Sequence, residues 1–197
     1  MCALPKPGNT ESPLSIELLC HPAQACPSVR SLQARATFLD AGTLALGFTL
    51  LGDLEQLLLP PPSSSVRTDE LWQHTCFEAF FARAGDDSYY EVNLSPSTAW
   101  ATYSFLRYRE GGLPARALEL RMVVHQKANR LELHALLELD RTVSLNPGQH
   151  LRLGLAAVIE QKDGRLSYWA IRHPEGQPDF HQSVAFALEL APLPTED

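Results

Sequence analysis

Two short runs carry residue types that could do chemistry together. Leu71-Trp-Gln-His-Thr-Cys-Phe-Glu-Ala-Phe-Phe81 and Tyr89-Tyr-Glu-Val-Asn-Leu-Ser95 flank a Gly-Asp-Asp turn, and the spacing predicts a β-hairpin. Side chains alternate along a strand, so the pairing register decides which residues share a face. Matching apolar with apolar pairs Phe77 with Leu94, Ala79 with Val92 and Phe81 with Tyr90. The opposite face then collects Trp72, His74, Cys76, Glu78 and Phe80 with Tyr89, Glu91, Asn93 and Ser95. Rings beside carboxylates and amides suit a sugar or another small polar ligand: the ring stacks on C–H surface while the polar groups bond hydroxyls. The same residues would also serve a half-wet outer face whose polar groups satisfy one another. A glycoside hydrolase using Glu78 and Glu91 as its two carboxylates is the catalytic alternative. In this register Glu78 faces Asn93 and Glu91 faces Phe80, a diagonal that paired-carboxylate chemistry tolerates.

A second cluster runs from Ser167 to Gln182, where a β-rich run ends at Arg172-His173 and a proline-punctuated loop presents Asp179 and His181. Two histidines and an aspartate could ligate a metal, but their spacing matches no compact zinc motif. Imidazoles in such loops often tie down backbone through hydrogen bonds instead. The predicted site is therefore Trp72, His74, Glu78, Glu91 and Asn93 on one face. Trp100 or Trp169, with the loop residues His173, Asp179 and His181, would close its edge.

Short strands must position these groups. Turn-forming breaks recur at Ala41-Gly42, Pro60–Ser65, Ala84–Asp87, Gly111-Gly112, Asn146-Pro147-Gly148, Lys162–Gly164 and Pro174–Gly176. No long amphipathic segment survives between them, and no internal repeat is visible. The β-rich runs predict strands over Leu14–Leu19, Ser31–Leu39, Thr43–Leu51, Leu71–Ala82, Tyr89–Leu94, Ala101–Arg107, Leu118–Gln126, Arg130–Glu138, Leu151–Glu160, Ser167–Ile171 and Ser183–Leu190. Asp53–Leu59 reads as a single helical turn, and 125–130 and 161–165 as hairpin turns. The Pro/Ser stretch 60–65 is a loop rather than a domain boundary, because the residues before it would make a poor core alone. The expectation is one all-β domain over 1–197, an antiparallel two-sheet sandwich with an ordered core of about 14–191 and frayed tails at 1–13 and 191–197.

The 197 residues have 45% hydrophobic and 20% charged content, which argues against wholesale disorder, collagen and coiled coil. A formal charge of −7 and a pI near 5.5 argue against non-specific binding to nucleic acid. The longest apolar stretches, such as Leu153–Ile159, are too short to span a bilayer as a helix. The first residues contain no apolar run that could act as a signal sequence, so the expected compartment is the cytoplasm. Of the four cysteines, Cys20 and Cys26 are separated by five residues, which matches neither a redox C-x-x-C nor a zinc pair. Free thiols are expected there.

The segments Asp69–Glu78 and Tyr90-Glu-Val-Asn-Leu-Ser-Pro-Ser97, then Trp100, Tyr103-Ser-Phe105 and Tyr108-Arg109, resemble the DOMON-like domains, relatives of the family-9 carbohydrate-binding modules. Ser167-Tyr-Trp-Ala170, His173-Pro174 and Pro178-Asp-Phe-His181 resemble the bacterial stand-alone branch of that group. The resemblance spans about residues 30–190. It implies a β-sandwich of jelly-roll type with a ligand-binding face that holds sugar or haem across the wider superfamily. Sugar-binding relatives use tryptophan platforms, which makes Trp72, Trp100 and Trp169 the candidates, since the chain has three tryptophans. Haem-binding relatives use a methionine and a histidine; with only Met1 and Met122 available, haem would need Met122 or two histidines. The resulting expectation is a non-catalytic module for a small polar ligand, carbohydrate being the favoured class. The alternatives are a haem- or metal-binding domain and the hydrolase on Glu78 and Glu91. The sequence requires no cofactor and leaves the oligomeric state open.

Overall fold

The computed structural model describes residues 15–40, 42–115, 118–139 and 149–191. The expected tails over 1–13 and beyond 191, Cys2, Met1 and the Asn146–Gly148 turn lie outside the described residues. The strands are β1 (Ile16–Glu17), β2 (Leu19–Cys20), β3 (Val29–Phe38), β4 (Thr43–Gly52), β5 (Cys76–Arg83), β6 (Tyr89–Leu94), β7 (Trp100–Arg107), β8 (Glu110–Pro114), β9 (Leu118–Lys127), β10 (Arg130–Leu139), β11 (Leu151–Glu160), β12 (Leu166–Ala170) and β13 (Leu188–Leu190). They form two antiparallel sheets. One has five strands in the order β1-β3-β4-β10-β9; the other has eight, running β2-β12-β11-β5-β6-β7-β8 with β13 paired to β11. The chain is an all-β sandwich of jelly-roll type.

Alternation explains the inner faces. Along β10, Leu131, Leu133, Ala135 and Leu137 are buried while Arg130, Glu132 and His134 point outward. They meet Phe77, Phe81, Val92, Leu94, Leu153 and Ile159 of the second sheet in one continuous apolar core. The rings of Phe48 and Phe77 touch across it, with centroids 5.1 Å apart.

The second sheet is covered on its outer side too. There Phe180, Ala185 and Phe186 of the segment after β12 pack on Phe80, Ala82, Tyr89, Ala156, Val158 and Ala170. Strand β5 is consequently buried from Cys76 to Ala82, which is why that run lacks the polar-out alternation of a half-exposed strand. The covering segment comes very close at Gly154, where a Cβ would stand 3.0 Å from the Ala185 carbonyl oxygen.

Several boundaries differ from the sequence reading. The strand expected from Leu71 begins only at Cys76, because Leu71–Gln73 forms a 3-10 turn after Glu70 adopts a left-handed φ of 61°. The strand expected over Ser183–Leu190 splits into a 3-10 turn at Ser183–Ala185 and β13. Strand β8 was not foreseen; its glycines and proline give no β signal, and irregular pairing with β7 holds it in place. Asp53–Leu59 does contain a short turn, Leu54–Gln56, capped by Asp53 Oδ1 accepting from the Glu55 N–H at 3.2 Å. Cys20, Cys26 and Cys76 are free thiols.

Candidate functional site

The hairpin register places the site. In the structure Phe77 pairs with Leu94, Ala79 with Val92 and Phe81 with Tyr90, so Glu78 lies opposite Asn93 and Glu91 opposite Phe80. On its other flank Glu78 faces Ala156 of β11, and Glu91 faces Tyr103 of β7. Both carboxylates project from the outer face, flanked in the Glu78 row by the small side chains Ala101, Ala156 and Ala170. A cleft of about 730 Å³ opens over them. That volume suits a ligand of one or two sugar rings in size.

Burial dominates the electrostatics of the floor. Glu78 and Glu91 are 3% and 5% exposed. Glu91 Oε1 accepts from Asn93 Nδ2 at 2.7 Å, whereas Glu78 Oε1 has no hydrogen-bond partner. Loss of solvation, with the neighbouring Glu91 charge, pushes the Glu78 pKa well above the ordinary carboxylate range. Burial raises that of Glu91 to about 6 against the opposing influence of Asn93 and Arg109. Burial and the Arg109 charge push His181 down to about 4, so its imidazole is neutral at pH 7. The Tyr89 hydroxyl accepts from the Arg109 backbone N–H at 3.1 Å and shares a hydrogen bond of 2.9 Å with His181 Nδ1. His181 Nε2 faces Glu91 Oε2 at 3.8 Å, too far for a direct hydrogen bond.

Aromatic side chains wall the cleft: Trp72, Tyr103, Phe105, Tyr168 and Phe180. Trp72 is half-exposed on its 3-10 turn. The Tyr103 hydroxyl donates to Asp69 Oδ1 at 2.6 Å, and Arg67 holds the same carboxylate with two bonds of 2.7 and 3.0 Å. At the other rim Asp179 accepts from Tyr108 at 2.6 Å, Arg109 at 2.9 Å and the His181 backbone N–H at 3.1 Å. Burial opposes ionisation of Asp179, but these bonds outweigh it and lower its pKa. They also pin the covering loop to the turn between β7 and β8. Glu70 and Arg109, both in the cleft lining, are two of the three non-glycine residues with positive φ among those described. Each such conformation costs on the order of 1 kcal/mol or more and tends to cluster at functional sites.

Of the residues singled out from sequence, Trp72, Glu78, Glu91, Asp179 and His181 line the cleft. Asn93 lies fully buried beneath it and orients Glu91. Four others are elsewhere. His74 does not share the hairpin face: with the strand starting at Cys76 it turns outward, 66% exposed, and pairs with Glu160 at 2.8 Å. Trp100 pairs with Leu94 and so packs half-buried on the inter-sheet core. Trp169 pairs with Ala157, is buried in the same core, and donates its Nε1–H to Ser167 Oγ at 3.0 Å. His173 donates Nε2–H to the Leu19 carbonyl at 2.7 Å, tying down backbone as loop imidazoles often do. Tyr103, Tyr168, Arg109, Phe180 and Gln24 were not anticipated as lining. Tyr103 was findable by carrying the register one strand further, because it faces Glu91.

Among the described residues no three His, Cys, Asp or Glu side chains converge as a metal site. Met122 packs against the inter-sheet core from β9, while His181 lies beyond the outer face of the other sheet. The two cannot ligate one haem.

No protein-family model matches the chain, and no curated protein matches it. Solved structures do. A Bacteroides uniformis protein proposed to bind carbohydrate superposes with a TM-score of 0.62 at 12% identity, covering 90% of this chain and 85% of that one. A family-9 carbohydrate-binding module from Caldicellulosiruptor kristjanssonii, in complex with glucose, gives 0.59 at 10% identity, covering 88% of this chain and 82% of that one. The module from that organism in complex with cellotriose gives 0.57 at 10% identity over 89% and 81%. Likeness at this identity establishes the shared sandwich fold.

Proposed function

We propose that the chain is a non-catalytic module that binds a small carbohydrate in the cleft over Glu78 and Glu91. The observation that carries this reading is the pairing of aromatic walls with a buried, unpartnered carboxyl oxygen, Glu78 Oε1, at the cleft floor. A buried polar atom without a partner costs about 1–3 kcal/mol, and a sugar hydroxyl would supply what is missing. Trp72 and Tyr168 offer flat apolar surface for the C–H face of a sugar ring. The resemblance to DOMON-like domains belongs to this proposal, as does the carry-over of sugar binding from modules that share the fold. Glu78 Oε1 offers the ligand an unpaired carboxyl oxygen, and Glu91, held by Asn93, acts as acceptor.

A thermal-shift series with glucose, cellobiose and cellotriose tests the reading, since a ligand of the folded state raises the melting temperature. Trp72→Ala should remove the ligand-induced rise while leaving the unliganded melting temperature within about 2 °C, because half of that side chain is already in solvent. A ligand-induced rise that survives Trp72→Ala would place binding elsewhere. Turnover of nitrophenyl glycosides, lost in Glu78→Gln, would overturn the non-catalytic assignment.

A further inference from the structure

We propose that the ligand is an amino sugar whose protonated amine sits against Glu78 and Glu91. This rests on the carbohydrate reading of the cleft and names the substrate class within it. Among the described residues, the buried side-chain atoms of the cleft lining that lack a hydrogen-bond partner are carbonyl or carboxyl oxygens. Glu78 Oε1 is buried without a partner, and so is Oε1 of Gln24, which lines the same cleft. Glu91 Oε2 finds only His181 Nε2, at 3.8 Å. The matching ligand brings donors.

Charge narrows the choice further. Asp69 is held in two bonds by Arg67, and Asp179 is paired with Arg109 at 2.9 Å. Among the described residues Arg109 is the one Lys or Arg in the lining, and its guanidinium bonds Asp179 rather than either glutamate. The groups facing the carboxyl pair are the buried Cys76 thiol on β5, the Tyr89 hydroxyl on β6, Arg109 on the turn after β7, and Asp179 and His181 on the covering loop. None of them donates a hydrogen bond to Glu78. An ammonium supplies three donors and a positive charge, where the hydroxyls of a neutral sugar donate and accept without charge. Trp72, Tyr168 and Phe180 also line the recess, and aromatic rings attract a cation placed over them. Burial raises the pKa of both carboxyls, so an ammonium, which favours their ionised forms, should release protons to solvent on binding.

Calorimetric titration of the full chain near pH 7 with glucosamine, glucose and N-acetylglucosamine tests this, run in two buffers of different ionisation heat. Glucosamine should bind about tenfold or more tightly than either neutral sugar, as a charge-assisted hydrogen bond implies. The buffer difference should report proton release for glucosamine alone. Glu78→Gln should bring the ratio close to one; if that variant fails to fold, Glu91→Gln and the proton count of the unaltered chain carry the test. Glucose bound as tightly as glucosamine overturns the amino-sugar inference and leaves the carbohydrate reading standing. Ethanolamine bound as tightly as glucosamine, with no response to neutral sugars, overturns the carbohydrate reading as well. Silence with every probe overturns both.

Discussion

Replacing Glu91 by glutamine should stabilise the unliganded protein at neutral pH while leaving it almost unchanged in acid. The folded chain holds the Glu91 carboxyl at a pKa of about 6, against 4.5 in its ordinary state, because burial penalises the charged form more than Asn93 and Arg109 favour it. Below pH 4.5 both folded and unfolded chains keep the proton, and the group is neutral to stability. Between pH 4.5 and 6 the unfolded chain gives the proton up first, so it binds fewer protons than the native state and stability falls as pH rises. Above pH 6 the full penalty stands, about 2 kcal/mol for a displacement of this size. Glutamine carries no charge to desolvate, and its Oε1 can still accept from Asn93 Nδ2 at 2.7 Å. It also removes the charge that helps raise the Glu78 pKa, which acts in the same direction. Urea unfolding of Glu91→Gln and the parent chain, followed by tryptophan fluorescence from pH 4 to 8, should give coincident stabilities near pH 4. By pH 8 the variant should lead by about 2 kcal/mol, or roughly 4–8 °C in melting temperature. Losses from the other carboxylates at low pH cancel in the difference. Curves that stay parallel across the range, or a variant that loses ground as pH rises, would show that Glu91 ionises without penalty and is not desolvated by this fold.

Phe77→Ala should cost about 3–5 kcal/mol in the same assay, because the ring is fully buried against Phe48 where the two sheets meet. A loss below about 1 kcal/mol would mean that this contact is not part of the core. Asp179→Ala removes the acceptor shared by Tyr108, Arg109 and the His181 backbone. Hydrogen exchange should quicken over residues 176–182 and ligand binding should weaken, while exchange in β5 and β11 stays slow; unchanged exchange in the loop would show that Asp179 does not pin it.

Apolar matching alone was enough to read the β5–β6 register, because a strand repeats every two residues and a one-residue slip would have put Phe77, Ala79 and Phe81 on the wrong face. From that register it followed that Glu78 and Glu91 share a side of the sheet. The bounds of β6 and β11 were legible for the same reason: each is a β-forming run closed by turn residues. What the local pattern does not contain is long-range approach. Trp72 reaches the cleft because Glu70 enters the left-handed region and starts a 3-10 turn, and that conformation is imposed by the surroundings rather than by the residue type. Trp100 and Trp169 point into the inter-sheet core, as their pairing with Leu94 and Ala157 requires, yet only neighbours distant in sequence reveal which side of each strand is interior. The raised carboxylate pKa values likewise arise from the burial of Glu78 and Glu91 in a sheet whose outer side is covered by a segment distant in sequence. Periodicity is a property of neighbouring residues and can be read in order. Desolvation is a property of everything that packs around a group, so it exists only once the chain has folded.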